Sequence, residues 1–506
     1  MPPGKFDRMH ARASRLLPVL VFAWVQAVLL LWWVAQWPGL LSPDSIRYVL
    51  HVTSGPWTAD HSVLYDTAVL ASLTLTRNVA LLTALQTTLA ALVVAYTVAS
   101  LRVAGVRGRW AAVPAIILPL LPSFGAFVTT VWKDVPFALC EVLVAATTLR
   151  LFAQREGGGT YRQTPRRLLL ALGAELLGLA LFRNDGFVLI LVIAVVLAVL
   201  MRGARIAVLA VSVVAIVASF LAQGVIYPAA GIQPAASSLS YGLFDADIAL
   251  AYAGAPRTFT ATDRALMASV APLATWRRSD NCYNSDPLFH GKGFSARAAD
   301  QHHIELLKLW QKVLVRTSVT VVLGRLCRGS VAWNVLPPPK DKANFGEVVS
   351  VVPANLYGRI SLLPTDIGQN LRPQPLNSPL GDLGKTLRDE TRKPAYQPVL
   401  WRGATWCYLA YLALLIGARR LRRWDLLAVG APLLANQLTV LALNPAQLYR
   451  YMVGPIFLGI LLLPLVSARR SVMPSPPRQD EPETAATAEL TPAAASWSLS
   501  DRSRSC

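Results

Sequence analysis

Charge is what this sequence has least of: Asp, Glu, Lys and Arg make up 15% of its 506 residues, against 54% hydrophobic residues and a mean hydropathy of +0.44. A soluble globular domain carries about 25% charged residues, so that class is excluded. Acidic residues are the scarcer kind, 28 against 48 basic, for a formal net charge of +20. The excess does not make a nucleic-acid binder, because the basic residues cluster between apolar runs instead of lining one soluble face. Cysteine is rare as well, with five residues, no CxxC and no Cys/His metal spacing. Cys140 and Cys407 fall in apolar runs and Cys506 ends the chain, which leaves Cys282 and Cys327 in one loop. A disulfide between them, if that loop is extracytoplasmic, and two free buried thiols are both open readings.

What the chain has in abundance is apolar runs of about 20 residues, the length a helix rising about 1.5 Å per residue needs to cross about 30 Å of hydrocarbon. The expected fold is all-α and transmembrane, with about ten membrane-spanning helices, interfacial helices and a mixed extracytoplasmic loop region. Seven spans are read in an N-terminal module, 16–226: Leu16–Trp37, Val79–Leu101, Trp110–Val131, Val135–Phe152, Leu168–Phe182, Phe187–Met201 and Ile206–Val225. Three more are read in 399–470: Val399–Gly417, Trp424–Leu443 and Met452–Ser467. Leu16–Trp37 is longer than a secretory h-region and lacks a small-residue cleavage site, so it is expected to stay as a signal anchor. Residues 38–78 form a first external loop and 227–398 a larger extracytoplasmic region. Within the latter, HHIELLKLWQKVLVRTSVTVVLGRLC is amphipathic, interrupted by Lys308, Lys312, Arg316, Arg325 and Arg328, and reads as an interfacial helix. The Pro-, Ala-, Ser- and Glu-rich tail, 471–506, reads as disordered.

Lys and Arg favour cytoplasmic loops. The basic residues of the 1–15 tail, Arg102 to Arg109, Arg150 to Arg167, Arg202 with Arg205, Arg419 to Arg423, and Arg469 with Arg470 all fall on one side if both termini are cytoplasmic. The expected location is therefore the plasma membrane, multi-pass, with the active face outside the cytoplasm.

Against that bias, Lys133, Arg183 and Arg450 stand at the external ends of spans. Their company is polar or aromatic: TTVWKDVPF with Trp132 and Asp134, LFRNDGF with Asn184 and Asp185, and NPAQLYRYM with Tyr451. Each segment has a plain structural account, with Trp132 as an interfacial belt residue and Asn184 to Gly186 as a turn. Ser42 or Asp44 in LSPDSIRY would likewise cap a short helix beginning at Pro43. Together, cations at membrane depth point to an anionic ligand, and a lipid-linked phosphate suits the position. Arg183 and Arg450 would grip its oxygens. Asp44 and Asp134 are then candidate catalytic carboxylates, one as a base for an acceptor hydroxyl. His61 is a candidate hydrogen-bond partner for acceptor or phosphate.

In SPDSIRY after the first span, DHSVLYD in the first loop, WKDVPF, LFRNDGF and QLYRYM, the chain resembles the GT-C superfamily of polytopic glycosyltransferases, which includes protein O-mannosyltransferases and the aminoarabinose transferases of lipid A. The resemblance implies transfer of a sugar from a polyprenyl-phosphate donor to a glycan, lipid or protein acceptor in the cell envelope, with inversion at the anomeric carbon. It also implies an acidic base in the first loop, matched by Asp44, and a second acidic site, matched by Asp134. A divalent cation, magnesium or manganese, on these two carboxylates is left open, since hard oxygen ligands suit it but no fixed spacing specifies it. Expected partners are the lipid bilayer, the donor and the acceptor, and no nucleic acid. The competing class is a transporter or lipid flippase. It calls for internal repeats and polar groups near the bilayer midplane, whereas the mid-span regions read as almost purely aliphatic. A non-catalytic envelope protein is the third reading.

Overall fold

The computed structural model describes residues 5–154, 166–338, 363 and 365–469, with side chains from residue 16 onward. Among these residues helix is the only extended regular structure, and β-pairing is confined to isolated bridges. The tail from 471, Arg155, Arg162, Arg470 and the stretch 339–362 lie outside the described residues.

Six helices are long and apolar enough to cross a membrane: Leu16–Ala35, Ala80–Val103, Asp134–Gln154, Arg205–Ala229, Trp424–Leu443 and Tyr449–Ser467. Many of their large apolar side chains face outward, among them Leu20, Leu31, Leu85, Leu92, Val214 and Val217. A helix apolar on its outer as well as its inner face belongs where the solvent is hydrocarbon. These are the helices of a multi-pass membrane protein.

The count falls short of ten for identifiable reasons. The expected span Trp110–Val131 is broken: Gly108–Ile117 (α5), a 3-10 turn Leu118–Leu120 and Pro122–Val128 (α6) bend by 69°. Pro119 and Pro122 lack the N–H donors a continuous helix needs, and Leu121, ahead of a proline, is extended at φ −71°, ψ 126°. Arg166–Phe182 (α8) and Gly186–Leu200 (α9) have 17 and 15 residues, at and just under the low end of the roughly 17–25 that span a bilayer. Gly403–Leu421 is long enough, but Trp406, Tyr408, Tyr411 and its terminal arginines dilute its hydropathy.

The other helices used below are α1 (Lys5–Ala35), α2 (Pro43–Thr53), α3 (Val63–Thr76), α4 (Ala80–Val103), α7 (Asp134–Gln154) and α10 (Arg205–Leu221). α1 packs on α4, α4 on α7, α7 on α8, and α8 on α9 and α10; Gly403–Leu421 packs on Val453–Leu462. Two apolar cores result, one around Val98, Phe127, Leu149 and Phe457, the other around Leu176, Ile190 and Val208.

The loop 38–78 is mostly helix, α2 followed by α3. α2 begins as the sequence suggests: Ser42 accepts from the Ser45 amide, the Ser45 hydroxyl accepts from the Ser42 amide, and Pro43 fills the first helical position. The region 237–333 forms a helical lobe with its own core of Ile248, Trp276, Leu288 and Leu309. Cys282 and Cys327 are disulfide-bonded, with Cα atoms 5.7 Å apart, which resolves the two readings left open for them. The stretch read as one interfacial helix is instead two, His303–Arg316 and Ser318–Arg328, broken at Thr317. Arg325 and Arg328 point inward, onto the buried carboxylate of Asp247 at 2.6 and 3.2 Å, rather than out to solvent.

Candidate functional site

At one end of the bundle four helix junctions meet. The strand-like segment after α1 pairs with the end of α6, Leu40 donating to the Thr129 carbonyl and Val131 to the Leu40 carbonyl. The Trp132 indole donates to the Ser42 hydroxyl at 2.6 Å and the Ser45 hydroxyl to the Val131 carbonyl at 2.7 Å, fixing the start of α2 beside the start of α7. Ser62, the cap of α3, donates to the Leu181 carbonyl at the end of α8. The junction 444–450 closes the group.

These junctions carry a continuous chain of ion pairs. Asp44, in the first turn of α2, pairs with the Arg450 guanidinium. Arg450 also reaches Asp134, the first residue of α7, at 3.9 Å. Asp134 faces Arg183 at 3.7 Å, and Arg183 grips Asp185 through two nitrogens at 2.8 and 3.0 Å. Aromatic faces line both guanidinium groups: Arg183 lies 4.9 Å over Phe137 and 5.0 Å over Tyr451, Arg450 5.2 Å over Tyr451 and 5.5 Å over Trp132. Such planar stacking is a property of Arg that Lys does not share. The half-buried Lys133 ammonium makes no hydrogen bond or ion pair with any described residue.

Burial would raise the Asp44 carboxyl, but Arg450, His61 and Lys133 overcome it and hold the group down at about 2, ionised throughout the physiological range. Lys133 is lowered, first by burial and then by Arg183 and Arg450, against the pull of Asp134 and Asp44. His61 stands edge-on to Tyr48 at 5.0 Å, and burial together with Lys133 pushes its imidazole down to about 3. It is therefore neutral at pH 7. Its buried Nδ1 has no hydrogen-bond partner.

Of the residues chosen from sequence, Asp44, Trp132, Lys133, Asp134, Arg183, Arg450 and Tyr451 come together here, with His61 at the border. Asn184 does not join them. It is exposed and its amide donates to the Ala59 carbonyl at 3.0 Å, tying the α8–α9 turn to the 38–78 loop. Asp44 and Asp134 share one guanidinium, and among the described residues no group of three His, Cys, Asp or Glu side chains could hold a metal ion. The donor set fits Arg450, not magnesium or manganese, as the cation between the two carboxylates.

Three features are missing from the sequence reading. Tyr48 is fully buried, its hydroxyl has no partner, and burial followed by the charges of Asp44 and Asp134 raises it. It stands four residues after Asp44, on the same face of α2, a spacing that could have identified it. Seven residues after Asp44, His51 hydrogen-bonds Asp66 at 2.9 Å and Thr58 at 3.0 Å, locking α2 onto α3 and the turn between them. Third, the mid-bundle is not purely aliphatic. Glu141 on α7 accepts from Asn436 at 2.6 Å, Glu175 on α8 accepts from Thr147 at 2.6 Å, and the second oxygen of each is buried without a hydrogen bond. Their signal was present as single Glu residues in ALCEVL and LGAELLG.

Residues 60–293 match a family described as a family of unknown function (DUF6020). The matched segment contains His61, Trp132, Lys133, Asp134 and Arg183, and ends short of Arg450. No curated protein and no solved structure matches the chain.

Proposed function

We propose that this protein is a membrane glycosyltransferase that moves a sugar from a polyprenyl-phosphate donor to an acceptor hydroxyl outside the cytoplasm of a cell-envelope membrane, with about ten crossings and both termini cytoplasmic. The observation that carries the reading is the Asp44–Arg450–Asp134–Arg183 chain with the unpaired Lys133 beside it. A half-buried cation that no described residue pairs with directly is costly, and a phosphate at headgroup level supplies a direct counter-ion while its tail stays in the bilayer.

Asp44 takes the proton of the acceptor hydroxyl. The acceptor oxygen bonds to the anomeric carbon from the face opposite the phosphate, the bond from that carbon to the phosphate oxygen breaks, and the polyprenyl phosphate departs with the electron pair, inverting the configuration. Lys133, Arg183 and Arg450 receive the negative charge that develops. A phosphate on Arg450 also competes for the guanidinium that holds Asp44 low, so donor binding raises the basicity of Asp44 at the moment a base is needed. Asp134 keeps the two arginines in register, Trp132 and Tyr451 hold their planes, and His61 and the Tyr48 hydroxyl face the acceptor as neutral hydrogen-bonding groups.

The test is transfer from a labelled polyprenyl-phosphate sugar by the full chain in nanodiscs. Asp44→Asn is expected to lower turnover by about 10²-fold or more, the usual contribution of a positioned base. Turnover equal to the wild type removes Asp44 from the chemistry.

The buried pairs Glu141–Asn436 and Glu175–Thr147 favour a second reading, a proton-coupled transporter or lipid flippase, because intramembrane carboxylates mark proton relays. Vesicles containing the protein separate the two. A transporter moves labelled lipid between leaflets without altering it and loses that movement in Glu141→Gln; the transferase yields a new glycoside.

A further inference from the structure

The two helices on either side of Thr317 are built with opposite faces outward. On His303–Arg316 the arrangement suits water along most of its length: Leu306, Leu309 and Val313 are buried and Glu305, Lys308, Gln311, Lys312 and Arg316 are exposed, with outward apolar residues confined to the two ends, Ile304 and, beside the break at Thr317, Val315. On Ser318–Arg328 it is inverted. Val319, Val322, Leu323 and Leu326 are 69%, 52%, 58% and 40% exposed, at the i, i+3, i+4, i+7 spacing of a single face. The inward side carries Val321, Gly324 and the two arginines on Asp247. In water this orientation wastes an apolar face and desolvates two guanidinium groups; against hydrocarbon it is the favourable one.

The surroundings agree. Gln447 donates to the Cys327 carbonyl at 2.7 Å, Asn444 to the Arg328 carbonyl at 2.8 Å, and Arg325 to the Ala442 carbonyl, so the helix lies against the end of Ala431–Leu443, at the level of the Arg450 junction. Its exposed face runs on through Trp333, whose carbonyl accepts from Tyr408, to the outward apolar residues Leu409 and Leu412 of Gly403–Leu421. Eleven residues span about 16 Å, too short to cross about 30 Å of hydrocarbon.

We infer that Ser318–Arg328 is a monotopic anchor: its Val319/Val322/Leu323/Leu326 face lies in the acyl layer just below the headgroups, while His303–Arg316 stays in water. The occupant of the face is lipid. The helix draws the lobe down onto the membrane, with Cys327 disulfide-bonded to Cys282, and through Gln447 sets the height of the Arg450 segment relative to the headgroups. This holds whichever chemistry the ion-pair chain performs.

The test uses the full chain in phosphatidylcholine–phosphatidylglycerol nanodiscs, with Cys140, Cys407 and Cys506 replaced by Ala and the Cys282–Cys327 bond retained. Spin labels at residues 319, 322, 323 and 326 are expected to collide readily with oxygen and poorly with a water-soluble nickel chelate, and labels at residues 308, 311 and 312 to show the reverse. Equal nickel accessibility on both helices overturns the inference. Low accessibility to both probes, with dipolar broadening between labels, also overturns it and assigns the face to a second copy. Photolabelling of the unmodified protein by a benzophenone-acyl phospholipid gives an answer that needs no substitution: the adducts are expected in 318–328 and absent from 303–312, and adducts confined to the bundle refute the anchor.

Discussion

The two ends of the helix bundle both carry arginine, yet they use it in opposite ways. At one end Arg423 donates to the Phe152 carbonyl near the close of α7, Arg420 donates to the Val466 carbonyl, and Arg150 donates to the Ser100 hydroxyl near the close of α4. Cations at helix C-termini satisfy carbonyls that have no intrahelical partner and complement the macrodipole. At the other end Asp44 and Asp134 occupy the first turns of α2 and α7 and Asp185 stands at the N-terminus of α9, which the dipole favours. Lys133 and Arg450, however, stand at the N-terminal ends of α7 and of Tyr449–Ser467, where the dipole disfavours positive charge. The arginine-rich end is explained by helix capping and, with the cytoplasmic termini proposed above, by the bias of Lys and Arg towards that side. The end holding Lys133 and Arg450 is explained by neither, which is why a ligand is assigned there.

The sharpest break of this comparison is catalytic. Arg450→Ala, like Asp44→Asn, is expected to cost about 10²-fold or more in sugar transfer, and Arg420→Ala at the opposite end to leave turnover unchanged. Equal losses at both ends erase the distinction.

Next in size is a packing effect. A Cβ on Gly454 would collide with Glu141 Oε2, whereas one on Gly224 meets nothing within 4 Å. Gly454→Ala is expected to destabilise the fold by about 1–3 kcal/mol, and Gly224→Ala to change it by less than about 1 kcal/mol, as read from Tm in detergent. Because Gly454 follows Arg450 by four residues, the first variant is also expected to lower activity.

Lys133→Ala is expected to lower kcat/KM for donor on the order of tenfold, about 1.4 kcal/mol, with part of the loss in kcat, because the ammonium meets charge that grows as the phosphate departs.

The smallest effect concerns pH. The His61 imidazole protonates near 6.5 when unfolded and only near 3 when folded, so stability from this group is complete above pH 6.5 and declines as pH falls towards 3. His61→Gln is expected to flatten the dependence of Tm on pH between 7 and 5, and Lys133→Ala to raise the His61 pKa by removing a repulsive charge.

Much of the site was legible from residue type and position alone. Lys133, Arg183 and Arg450 stand apart from the basic clusters that share one side in the expected orientation, and an exception to that expectation is a local signal. The capping box at Ser42 was equally local, since the contacts that form it lie within three residues. What escaped depended on distant partners. Asn184 looked like its polar neighbours but is spent on the Ala59 carbonyl, 125 positions away. Arg325 and Arg328 looked like solvent-facing charges until Asp247, about 80 positions upstream, drew them inside. Glu141 and Glu175 were each diluted by a long apolar run, so their pairing with Asn436 and Thr147 had no linear trace.

By itself, then, the sequence determined the solvent of this protein: apolar runs of membrane length, interrupted by arginines, allow only a multi-pass helical bundle, because hydrophobic length and charge placement are properties of single segments. The tertiary structure decided which charges meet. Ion pairing at 3–4 Å depends on how helices hundreds of residues apart abut, and the break at Pro119 and Pro122, the α2–α3 hairpin and the folding of 444–450 against α2 bring Asp44 to Arg450 across 406 positions.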